Sequence, residues 1–161
     1  MSQATDTYIR SNAERFLEEL KDFLRIPSIS TDPEHAGDVV RAAQWVADGL
    51  KQAGMENIEI IPTGHHPLVY ADWLHAPGKP TVLCYGHYDV QPPEPLELWD
   101  SPPFEPAIVE AQHGPRVVAR GAVDDKGQVM TFLEAFRAWH RVHGTLPVRV
   151  TVLLEGEEET G

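Results

Sequence analysis

Three short stretches of this 161-residue chain carry acids and a histidine at spacings suited to holding divalent cations. The first is Gly86-His87-Tyr88-Asp89-Val90-Gln91-Pro92, the second Arg120-Gly121-Ala122-Val123-Asp124-Asp125-Lys126-Gly127, and the third Glu155-Gly156-Glu157-Glu158-Glu159-Thr160-Gly161. A divalent ion takes neutral imidazole and ionised carboxylates, and two ions held close together need a carboxylate that bridges them. The chain offers both donor types, and together the three stretches read as part of a dinuclear metal-hydrolase site.

Each stretch also has a plainer reading. His87 and Asp89 share a face if the segment is extended, so the carboxylate can orient the imidazole; taken alone, the pair is better read as a turn histidine beside a locally bonded aspartate. Asp124 and Asp125 precede a helical pattern, where aspartate caps and suits the macrodipole. Two adjacent carboxylates repel each other unless a cation is near, however, and Lys126 screens only part of this. Glu157, Glu158 and Glu159 could form a solvated acidic turn. If extended, neighbours there point oppositely, so one can bind metal while the next handles a proton, and spacing does not say which.

The elements that must position these residues follow from hydrophobic period. Residues 6–25 carry an apolar stripe at helical spacing, stopped by Pro27, and residues 38–53 carry a second, with Gly54 as a left-handed cap. Strands are expected at 58–61, 68–73, 81–85 and 116–119. A third helix spans about 127–142, capped by Gly144, and residues 148–154 suit a strand buried on both faces. The strand-helix-strand order implies parallel strands joined by a crossover. The expected class is α/β, with a mixed, largely parallel sheet flanked by helices. His87 and Asp89 would then follow one strand and the Glu157–Glu159 run another, at carboxyl ends where such sheets bind ligands. Residues 91–106, rich in proline, read as a stiff covering loop anchored by Trp99 and Phe104.

Composition excludes other classes. Twenty-five acidic against thirteen basic residues give a net charge of −12, without the Lys/Arg cluster that nucleic acid or an anionic membrane would require. No apolar run approaches the roughly 20 residues of a membrane span. The polar start at residues 1–6 lacks the pattern of a signal peptide, so a cytoplasmic location is expected. Cys84 is the only cysteine; it excludes an internal disulfide and a cysteine-rich zinc site, and reads as a small buried hydrophobe. His35, His65, His66, His75 and His113 fall in loop-like contexts, and His140 and His143 suit the last turn of the third helix. No P-loop, nucleophile-elbow serine or HExxH pair occurs.

In these three motifs, and in Trp99-Asp100-Ser101-Pro102-Pro103-Phe104-Glu105-Pro106, the chain resembles the zinc-dependent metallopeptidase family of carnosine-type dipeptidases, glutamate carboxypeptidases, aminoacylases and succinyl-diaminopimelate desuccinylase. The first motif and the tryptophan stretch point to the dipeptidase branch. The resemblance implies that His87 binds one zinc ion, Asp124 bridges two, Glu159 holds the second, Glu158 is the general base and Asp89 orients His87. It also implies a cis peptide between Asp124 and Asp125. The reaction implied is hydrolysis of a dipeptide amide bond at two zinc ions, with cobalt or manganese also suited to the donors. An N-acyl amino acid deacylase or desuccinylase is the alternative within enzymes, and a noncatalytic metal-binding module the alternative outside them. The family takes a further Asp ligand, a further His ligand and a dimerising lid domain from later sequence. Residues 1–161 are therefore expected to be the N-terminal portion of the catalytic domain of a homodimeric enzyme, binding zinc weakly and hydrolysing nothing efficiently alone.

Overall fold

The hydrophobic stripes of helical period form helices. The computed structural model describes residues 2–161, with α1 at Gln3–Ser11, α2 at Ala13–Leu24, α3 at Ala36–Gln52 and α4 at Lys126–His143. The strands are β1 Glu56–Ile61, β2 Leu68–Trp73, β3 Thr81–His87, β4 Ala107–Val109, β5 Arg116–Val118 and β6 Arg149–Glu155. Gly54 and Gly144 follow α3 and α4 with positive φ, as the cap reading required.

The first helical stripe is two helices, not one. It starts early because the Ser2 hydroxyl accepts from the Thr5 N–H at 3.2 Å, a cap that a start at residue 6 overlooks. It breaks at Asn12, whose side-chain amide donates to the Tyr8 carbonyl at 2.8 Å and competes with the helical ladder.

The main sheet has the order β1-β2-β6-β3. Its class is mixed α/β as expected, but among the described residues only β3 and β6 pair in parallel; β1–β2 and β2–β6 are antiparallel. The first antiparallel pair has a local cause. Residues 62–67 are too few for the crossover that parallel strands need. β4 and β5, the former unforeseen because three residues carry little pattern, form a separate antiparallel ribbon.

One face of the sheet holds the core. Val69, Ala71 and Trp73 of β2 stand opposite Leu154, Val152 and Val150 of β6, packed with Val39, Val46 and Leu50 of α3 and Val129, Leu133 and Phe136 of α4. β6 alternates between fully and partly buried residues instead of being buried on both faces. β3 lies at the sheet edge, with Val82, Leu83 and Tyr85 exposed. Cys84 is half-buried against the core rather than enclosed, and that burial pushes its thiol pKa up. Among the described residues, no helix is long and apolar enough to cross a membrane.

Candidate metal centre

The parallel pairing of β3 and β6 sets His87 directly beside Glu155. Their two following loops therefore leave the sheet at the same end, and the Tyr88 N–H ties them by donating to the Glu155 carbonyl at 2.9 Å. Tyr88 is wholly buried, with its hydroxyl on the Pro67 carbonyl. A Cβ at Gly156 would lie 2.5 Å from that hydroxyl, so glycine is what lets the second loop cross the ring. The turn entering α4 completes the crevice from a third direction.

His87 is the centre of the cluster. Its Nε2 lies 3.0 Å from Asp124 Oδ1 and 3.9 Å from Glu158 Oε2. Its Nδ1 lies 3.2 Å from the Asp89 carbonyl and 3.3 Å from Asp89 Oδ1, which leaves Nε2 as the outward-facing nitrogen. Burial alone would lower the imidazole pKa, but the Asp89 hydrogen bond and charge, with Asp124 and Asp125, raise it to about 9. Burial alone would raise the Asp89 carboxyl, yet the neighbouring His87 imidazole and Ser30 hydroxyl, with the hydrogen bond from the Glu159 N–H, hold it below the usual range. Asp89 is fully buried and its Oδ1 has no well-aligned partner, whereas Oδ2 accepts from the Glu159 N–H at 3.0 Å.

The two aspartates divide their roles. The Asp124–Asp125 peptide is cis, and Asp124, 72 % exposed at its side chain, points to the crevice. Asp125 stands at the N-cap position of α4 but makes no capping bond there; its Oδ2 accepts from the His87 N–H at 3.2 Å. A Cβ at Gly86 would lie 2.6 Å from that oxygen. Lys126 does not screen the pair. Its buried Nζ donates to the carbonyls of Phe23 at 3.1 Å and Ile26 at 2.7 Å, stacked 4.9 Å from the Phe23 ring centroid, and burial lowers its pKa to about 7.

Ligand atoms of His87, Glu158 and Glu159 lie within 4.8 Å of one another. Asp124 falls outside that group but meets His87 Nε2 directly. An imidazole nitrogen ringed by carboxylates is a donor set that suits a divalent cation: the same acids that hold a proton on His87 would attract a metal. Of the remaining histidines, His66 alone touches the acidic loop, its N–H 3.4 Å from Glu157 Oε2 and its Nε2 on the Ser30 carbonyl at 2.8 Å. His140 and His143 bond to Ala53 and to Thr5, joining elements away from the crevice. The roles of Asp125, Lys126 and Gln91 escaped sequence reasoning, although each lies inside a motif that it singled out.

Residues 83–161 match the sequence profile of peptidase family M20/M25/M40. The Cys-Gly metallodipeptidase DUG1 of Candida albicans is 33% identical over 159 residues, covering 91% of this chain and 32% of the relative. Succinyl-diaminopimelate desuccinylase of Xanthomonas oryzae is 42% identical over 140 residues, covering 84% and 34%. The solved structure of the di-peptidase Dug1p from Saccharomyces cerevisiae superposes with a TM-score of 0.86 at 29% identity, over 98% of this chain and 35% of that one. The chain thus spans about a third of the length of these relatives.

Proposed function

Because the chain belongs to peptidase family M20/M25/M40, we propose that residues 1–161 are the N-terminal portion of a metallopeptidase catalytic domain, supplying part of a dinuclear zinc site that hydrolyses dipeptides. The carrying observation is the convergence of His87, Asp124, Glu158 and Glu159 from two parallel strand ends and one helix entry. The relatives named as dipeptidases support the substrate class.

In this reading His87, through Nε2, would be a ligand of one ion, Asp124 a ligand shared by both and Glu159 a ligand of the second, with Asp89 fixing the ring of His87. Zinc, when bound, supplies Lewis-acid activation of water and of the scissile carbonyl; the carboxylate-rich set also accepts cobalt or manganese. Glu158 is exposed and stands 3.9 Å from His87 Nε2, placed to take a proton from the attacking water and return it to the leaving amine. Glu158→Gln is expected to lower kcat by about 100-fold or more in the active enzyme, with zinc affinity preserved. Loss of zinc from that variant would overturn the division of labour.

Three ligand side chains are too few for two four-coordinate ions. The 161 residues alone are therefore expected to bind one zinc ion weakly and to hydrolyse nothing efficiently. Calorimetric titration of the metal-free chain checks this, and two tight sites would refute it. A homodimeric parent enzyme and a cytoplasmic setting belong to the same proposal; sedimentation and cell fractionation test them.

The 42% identity to a desuccinylase favours a second reading, removal of an N-acyl group from an amino acid. Turnover of dipeptides against N-succinyl amino acids by the parent enzyme separates the two.

A further inference from the structure

We propose that Gln91 is a positioning residue for Glu159, setting that carboxylate in advance for a cation; the proposal rests on the reading of Glu159 as a ligand. The Gln91 side-chain nitrogen lies 2.8 Å from Glu159 Oε2 and 3.0 Å from the Glu159 carbonyl oxygen. Both partners are acceptors, so the amide must present its NH₂ group, and its two hydrogens serve one oxygen each. Asp89 holds the same residue from the other side, accepting from the Glu159 N–H at 3.0 Å. Two residues of the His87 loop thus grip Glu159 by its N–H, its carbonyl and its carboxylate.

The neighbouring acids are treated differently. Among the described residues, the Glu158 carboxylate receives no hydrogen bond, its nearest charged partner being His87 at 3.9 Å. Among the described residues, the Glu157 carboxylate accepts only from the His66 backbone N–H, at 3.4 Å. Of three consecutive glutamates, one is fixed and the next is left free, as a ligand and a proton carrier require. A glutamate ligand has three side-chain torsions to freeze on binding, and orienting it beforehand removes that cost. A neutral amide does this without cancelling the carboxylate charge, and it leaves Oε1 for the ion. Lysine or arginine at position 91 would compete with a cation for the same oxygens.

Zinc titration of the 161-residue chain, followed by NMR of the Glu159 and His87 amides, tests the idea in wild type, Gln91→Leu, Glu159→Gln and the double variant. Gln91→Leu is expected to weaken zinc binding by about 10- to 100-fold while the thermal midpoint stays unchanged, because Gln91 is exposed. The double variant should bind no more weakly than Glu159→Gln alone. A Gln91 effect that persists in the Glu159→Gln background means a merely structural role and overturns the proposal. Zinc binding that depends on Glu159 but not on Gln91 overturns positioning alone. Wild-type binding that Glu159→Gln leaves unchanged, or no binding at all, overturns the ligand reading and this proposal with it.

Discussion

Lys126 follows two aspartates in the chain yet turns away from both, sealing the end of α2 through the Phe23 and Ile26 carbonyls. A buried ammonium is costly, and here carbonyl oxygens and an aromatic face offset that cost. Lys126→Met would leave both carbonyls without this donor. It is expected to destabilise the chain by about 1–3 kcal/mol, read from urea unfolding; unchanged stability would mean the carbonyls find other partners. Residue types pointed to His87, the aspartates and the glutamates as one set of candidate ligands, and the fold brings them together; the separate roles of Asp124, Glu158 and Glu159 came only from the family resemblance. Residue types did not disclose what Asp125, Lys126 and Gln91 do, since each is defined by a partner distant in sequence. Gln91 and Glu159, for example, are 68 positions apart.

Between elements, the α2–α4 contact is governed by charge. Arg137 Nη1 lies 2.6 Å from both Glu19 Oε2 and Glu134 Oε1, while Arg15 Nη1 holds Glu19 Oε1 at 2.5 Å and its Nη2 lies 3.6 Å from Glu134. Burial pushes the Glu134 carboxyl up to about 7, with Arg137 opposing and Glu19 adding to the rise. A carboxyl whose pKa is raised on folding takes up protons in the folded state, so its contribution to stability falls as pH climbs from the ordinary carboxylate range to about 7. Glu134→Gln removes that titration. The thermal midpoint of the variant relative to wild type should rise between about pH 5 and pH 8; a constant difference would refute the linkage. The helices themselves were legible from apolar spacing and glycine caps. The break at Asn12 was not, because it depends on a side-chain bond back to Tyr8 that periodicity does not register. The ion network was equally hidden, joining residues 118 positions apart.

At the scale of the molecule, the packed core lies on one face of the main sheet, and β3 ends the sheet with Leu83 61% exposed. An apolar edge strand is a template for pairing with another chain. The 161-residue chain is expected to associate with rising concentration, and Leu83→Lys should suppress this in sedimentation velocity without lowering the thermal midpoint. Equal association of both proteins would show that the edge is not involved. Strand direction was only partly readable at this scale. The strand-helix-strand order implied a parallel crossover, and β3 and β6 do pair in parallel, but β5, the strand nearest before the helix, joins a separate ribbon, and the insertion of β6 beside β2 is a choice of partner that neither strand encodes locally.

The contact between Asp89 and Glu159 spans 70 positions of chain. A ribosome therefore polymerises the His87 loop, the aspartate turn and the whole of α4 before it adds the glutamates. Until then, the segment carrying His87 and the two aspartates lacks both of the acids that the proposed site draws from the third motif. On the proposed reading, these residues come together only when β6 takes its place beside β3.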